Sequence, residues 1–133
     1  MEVNHIDEYK EALSLYKFYH EYRMKILHFQ VIFTGVALAS VFSYISERYG
    51  QILLSIFSML VTLLNLSIEC RSIQLAHVMI NHAVGIERRI GFETATKKQN
   101  VRSGIPQRFA IRAFYVISIL LWLVILVSLF FLE

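Results

Sequence analysis

The stretch QILLSIFSMLVTLLNLSIECRS, Gln51 to Ser72, has a middle apolar enough to sit in a bilayer. It also carries a second pattern. Gln51, Ser55, Ser58, Thr62, Asn65, Glu69 and Ser72 recur at alternating steps of four and three. On a helix those steps place all seven on one face. Leucines, isoleucines, Phe57 and Met59 fill most of the rest. A continuous polar stripe on a membrane helix either joins helices by hydrogen bonds or lines water. Ser55, Ser58, Thr62 and Asn65 are therefore candidates for pore lining or for interhelical contact.

The rest of the chain agrees with a membrane class. Of 133 residues 56% are hydrophobic, and the mean hydropathy is +0.54. A soluble domain of this length cannot hide that much apolar surface. One Pro and five Gly leave little room for loops. Strand-type alternation is absent, and a membrane barrel needs about eight such segments. We expect a single all-α membrane domain over 1–133. It has three transmembrane helices, an N-terminal amphipathic helix and a cytoplasmic helical extension of the second span.

Upstream, Ile6, Tyr9, Leu13, Tyr16, His20, Arg23 and Leu27 form a heptad-like seam. Residues 1–25 are too charged to span and read as a cytoplasmic amphipathic helix running into the first span, about Ile26 to Ile45. They contain no apolar core of the signal-peptide kind, so the first span is also the expected insertion signal. In that span Gly35, Ala39 and Ser43 form a small-residue ridge that lets another helix approach closely. Gln30 and Thr34 lie toward its inner end and can hydrogen-bond across helices. Ser46 to Gly50 reads as a tight turn, which makes the first two spans antiparallel neighbours.

Downstream, the second span covers 52–68. Helical character continues through Ile73, Ala76, Ile80 and Ala83 to an end near Gly91. Residues 69–112 make a basic cytoplasmic helix and loop. Within it Ser103 to Pro106 reads as a helix start, with Pro in the first turn. The third span is 114–132, interrupted only by Ser118, Trp122 and Ser128.

Lys and Arg set the orientation. Lys10, Lys17, Arg23 and Lys25 precede the first span, and only Arg48 lies between spans one and two. Arg71, Arg88, Arg89, Lys97, Lys98, Arg102, Arg108 and Arg112 lie between spans two and three. The positive-inside rule puts the N-terminus in the cytoplasm and the C-terminus outside. Anionic lipid accounts for much of the basic cluster. Arg88, Arg89, Lys97, Lys98 and Arg102 are also candidates for an inner pore mouth or for an anionic nucleotide or oligonucleotide ligand. No Gly-rich phosphate loop accompanies them.

No catalytic constellation is present, and no cofactor or metal is expected. His77 and His82 are five apart, which spoils ligation from one helix face, and Cys70 is the lone cysteine. Asn65 and Glu69 repeat the Asn-x-x-x-Glu spacing of the bacterial diacylglycerol kinase family. The positions where that family places further acids hold Thr62 and Ile73, so we expect no enzyme.

The hairpin spans, the helical stalk ending at Ile86-Glu87 and the basic inner face resemble another group, the small multi-span bacterial antiphage membrane effectors. That resemblance implies a homo-oligomer in the lipid bilayer that depolarises the membrane when triggered by a cytoplasmic regulatory protein or an anionic ligand. The expectation is an oligomeric pore or ion channel. The alternative is a membrane-anchored interaction or sensor subunit without pore activity.

Overall fold

The computed structural model describes residues 2–91 and 107–131, and these are almost entirely helical. Helix α1 runs Glu2–Ala39, a π-helical turn covers Ser40–Tyr44, α2 runs Arg48–Ile90 and α3 runs Gln107–Phe131. Among the described residues three helical stretches are long and apolar enough to cross a membrane: Asn4–Tyr44, Arg48–Ile90 and Gln107–Phe131. Helix α1 passes from its charged half into its apolar half without a break, because no Gly or Pro interrupts residues 2–34. The helix start read at Ser103 to Pro106 lies outside the described residues.

The turn between α1 and α2 is tighter than Ser46 to Gly50. Only Ile45 to Glu47 lie outside helix. The π turn ends where the Ile45 N–H donates to the Ser40 carbonyl at 3.0 Å and Ile45 turns extended. A widened turn leaves carbonyls without intrahelical donors. Gln51 supplies them, its side-chain amide donating to the Val41 carbonyl at 3.0 Å and the Ile45 carbonyl at 2.8 Å. Gly50 is required by close approach, since a Cβ there would lie 2.9 Å from Ile45 Cγ2. At the other end of α2, Gly91 takes a φ of 87° and its N–H donates to the Glu87 carbonyl at 2.8 Å. This is a left-handed helix stop. Arg88 and Arg89 sit in the last turn, where cations oppose the helix dipole.

The chain divides into two compact units. The first joins Met1–Lys25 to Glu69–Pro106. Here α1 and α2 run antiparallel, with Tyr9 against Glu87 and Arg23 against Glu69. Its core is Ala12, Ile80, Ala83 and Val84, flanked by Tyr9, Leu13 and Tyr16. The predicted α1 seam needs one correction. Ile6 and His20 are exposed, and Ala12 is buried in their place. Alanine lets the two backbones close, whereas an imidazole at the seam would demand a buried partner.

The second unit joins Ile26–Ile68 to Gln107–Glu133. Its core is Ala37, Val41, Trp122 and Ile125, with Leu38, Leu54, Met59 and Leu129 packed against it. Helix α3 contributes Ile111, Tyr115, Ser118, Trp122 and Ile125, at alternating steps of four and three, with Leu126 beside the last of them. Arg48 at the start of α2 closes this unit, donating from Nε to the Leu129 carbonyl at 2.6 Å and from Nη2 to the Phe130 carbonyl at 3.2 Å. An arginine so placed caps the orphan carbonyls of α3. Arg48→Gln is expected to fray only that turn, read as several-fold faster amide hydrogen exchange over Val127 to Phe131.

The small-residue ridge does not pack inside the chain. Gly35, Ala39 and Ser43 are exposed, and nothing lies within 4 Å of a Cβ built on Gly35. The line that packs in the second unit is Gln30, Thr34 and Ala37 of α1 with Val41 of the π turn, all buried.

Candidate functional site

The polar stripe of α2 is buried. Ser55, Ser58 and Thr62 have no exposed surface, Asn65 is 8% exposed, Glu69 1% and Ser72 5%. Serine and threonine on a helix can return their hydroxyl to the carbonyl four residues earlier. Ser55 does so to Gln51 and Thr62 to Ser58, each at 2.8 Å. These groups need no water, and their small volume lets a neighbouring helix approach.

In the second unit Gln30 of α1 is the hub. Its Nε2 donates to Thr34 Oγ1 at 3.1 Å and to Thr62 Oγ1 at 2.8 Å. Its Oε1 accepts from Asn65 Nδ2 at 2.5 Å. Gln30 itself is fully buried. The side-chain amide thus uses both donors and its acceptor, and each interhelical bond of this kind contributes roughly 0.5–2 kcal/mol between apolar helices. The stripe is an interhelical contact within one chain, so its geometry lends no direct support to pore lining.

In the first unit two further links join α1 to α2. Arg23 donates from Nε at 2.9 Å and from Nη2 at 2.6 Å, both to Oε1 of Glu69. The arginine and glutamate side chains are 9% and 1% exposed. Glu69 Oε2 is buried with no hydrogen-bond partner. Two bonds on one oxygen and none on the other leave this carboxylate half satisfied. About four helical turns away along α1, the Tyr9 hydroxyl donates to Glu87 Oε1 at 2.6 Å, with Glu87 1% exposed.

Of the remaining candidates, Arg88 and Arg89 are exposed at the end of α2, while Lys97, Lys98 and Arg102 lie outside the described residues. Sequence reasoning missed the pairing of Arg23 with Glu69 and of Tyr9 with Glu87. The signal was present: an arginine on an aromatic seam, and two glutamates in step with the buried face of α2. Among the described residues no group of three or more His, Cys, Asp or Glu is placed to hold a metal ion. No protein-family model, curated protein or solved structure matches the chain.

Proposed function

We propose that the chain is an integral membrane protein acting as an anchored interaction or sensor subunit. Its second unit lies in the bilayer of a bacterial inner membrane and its first unit in the cytoplasm. The N-terminus is inside and the C-terminus outside, a reading that the distribution of Lys and Arg supports. The observation that carries this reading is the closed hydrogen-bond set of Gln30, Thr34, Thr62 and Asn65. It engages Thr62 and Asn65 of the polar stripe inside one copy, while Ser55 bonds its own helix and Ser58 Oγ is buried without a hydrogen-bond partner. The side chains turned outward, including Ile32, Val36, Leu53, Phe57, Leu64 and Val124, suit lipid rather than water.

A second reading, an oligomeric pore of the antiphage-effector kind, is favoured by the exposed ridge of Gly35, Ala39 and Ser43. Such a ridge lets helices of separate copies meet. The pore would then be lined by a face formed on assembly, with Arg88, Arg89, Lys97, Lys98 and Arg102 at its inner mouth or binding an anionic nucleotide.

Ion flux through purified protein in sealed liposomes, reading chloride and potassium separately, decides between the two. The anchored-subunit reading predicts no flux from the parent. It also predicts a lowered thermal midpoint for Thr62→Leu with Asn65→Leu, because Gln30 then loses its donor and one acceptor. Steady flux in the parent overturns it in favour of the pore.

A further inference from the structure

The two helices of the first unit bury one seam and leave one flank open. On α1 the residues Glu8, Glu11, Leu15, Phe18 and Tyr22 recur at steps of three and four, so they form a single stripe beside the buried seam. All five are exposed, Phe18 by 57% and Tyr22 by 41%, and these two rings stack at 6.1 Å. Opposite this stripe α2 presents Met79 and His82. An open cleft of roughly 220 Å³ lies between, with Ala12 at its floor. Val78 is 57% exposed on α2, and Arg89 is exposed nearer its C-terminal end. An exposed aromatic and aliphatic patch between charged ends is the usual mark of a protein-binding face.

Charge and level identify the occupant. The Tyr9–Glu87 bond sets residues 8–11 of α1 level with the last turns of α2. The α1 wall at that level is acidic, through Glu8 and Glu11, and the α2 wall is basic, through Arg89. Neither Glu11 nor Arg89 forms an ion pair within the chain among the described residues. Copies inserted in one membrane share an orientation. A two-fold axis along the membrane normal therefore sets α1 of one copy against α2 of the other at equal height. Glu11 then meets Arg89 of the second copy twice, and Leu15, Phe18 and Val78 fill the middle. An antiparallel helix pair covered in this way becomes a four-helix bundle, with every helix beside antiparallel neighbours.

We propose that this open flank of the first unit is a self-complementary interface with a second copy of the chain, clamped at its end by Glu11 and Arg89. The shared orientation rests on the membrane reading above. The test uses full-length protein with Cys70→Ser. Two differently tagged copies, one Glu11→Cys and one Arg89→Cys, are co-expressed, and their membranes are treated with a short bis-maleimide. A band of twice the chain mass bearing both tags is expected, and none from a Lys10→Cys and Lys17→Cys pair on the opposite side of α1. Adding Phe18→Asp with Tyr22→Asp should remove the band while carbonate-resistant membrane association stays unchanged.

Absence of the doubly tagged band from carbonate-resistant protein overturns the interface. Release of the protein from membranes by the two aspartates, with the band retained, also overturns it and assigns the patch to the lipid surface. A doubly tagged band from protein that carbonate extracts upholds the interface and overturns the membrane reading instead.

Discussion

Glu69→Ala is expected to destabilise the first unit by about 3–5 kcal/mol, and Arg23→Ala by a similar amount. Both side chains are buried, so removing one leaves the other charged in a low-dielectric contact with no alternative partner. The pair itself is worth far less than that loss, because desolvating both groups offsets most of their attraction. The pairing is also incomplete, since both Arg23 bonds fall on Oε1 of Glu69 and Oε2 has none. Arg23→Met combined with Glu69→Leu is therefore expected to restore the parent stability or exceed it. Thermal unfolding in detergent, followed by the loss of helical circular dichroism, reads all four proteins in one series. Single variants as stable as the parent would mean that water reaches the pair. A double variant as weak as the singles would mean that the ion pair specifies the packing of α1 on α2 in a way apolar residues cannot.

The second large effect is at Trp122. Its indole is fully buried and is the largest fully buried side chain, packed in the cluster with Ala37, Val41 and Ile125. Trp122→Ala leaves a void that the surrounding helices cannot close, at a cost of about 3 kcal/mol. That is the lower end for such truncations, as expected on the membrane reading, where lipid or detergent solvates separated apolar helices better than water does. Trp122→Phe is expected to cost much less. The indole Nε1 is buried without a hydrogen-bond partner, so phenylalanine removes an unsatisfied donor while keeping most of the ring contact. The check is the detergent unfolding midpoint. A phenylalanine variant as weak as the alanine variant would show that the fit of the whole indole against Ala37, Val41 and Ile125 sets the packing.

These two sites divide the labour between the units. In the second, where outward side chains are apolar, helices are joined by small polar groups and by an indole fitted against Ala37. In the first, where the surface is charged, an ion pair and a tyrosine–carboxylate bond do the joining. Both devices fix register. Within the first unit a one-turn shift of α1 would separate Arg23 from Glu69, and within the second it would separate Gln30 from Asn65. Either loss leaves buried polar groups unpaired.

Local rules acting on the sequence determined much of this protein. The apolar runs around Ile52 to Ile68 and Phe114 to Leu132 imply helices long enough to span a bilayer, because hydropathy and helical period need no knowledge of neighbours. The step pattern from Gln51 to Ser72 placed seven polar residues on one face for the same reason. The short interval after Ile45 made α1 and α2 antiparallel partners. What the stripe faces was a question of long-range pairing, and periodicity is silent on that. Only the tertiary structure decided that Gln30, 32 positions before Thr62, bonds Thr62 and Asn65 in the middle of the stripe. The same holds for Arg23 meeting Glu69 across 46 positions and Tyr9 meeting Glu87 across 78. The exposed ridge of Gly35, Ala39 and Ser43 shows the other side of this. Small residues permit close approach, but which line of a helix a neighbour takes depends on what else that line offers, and Gln30, Thr34, Ala37 and Val41 offer hydrogen bonds together with a seat for Trp122.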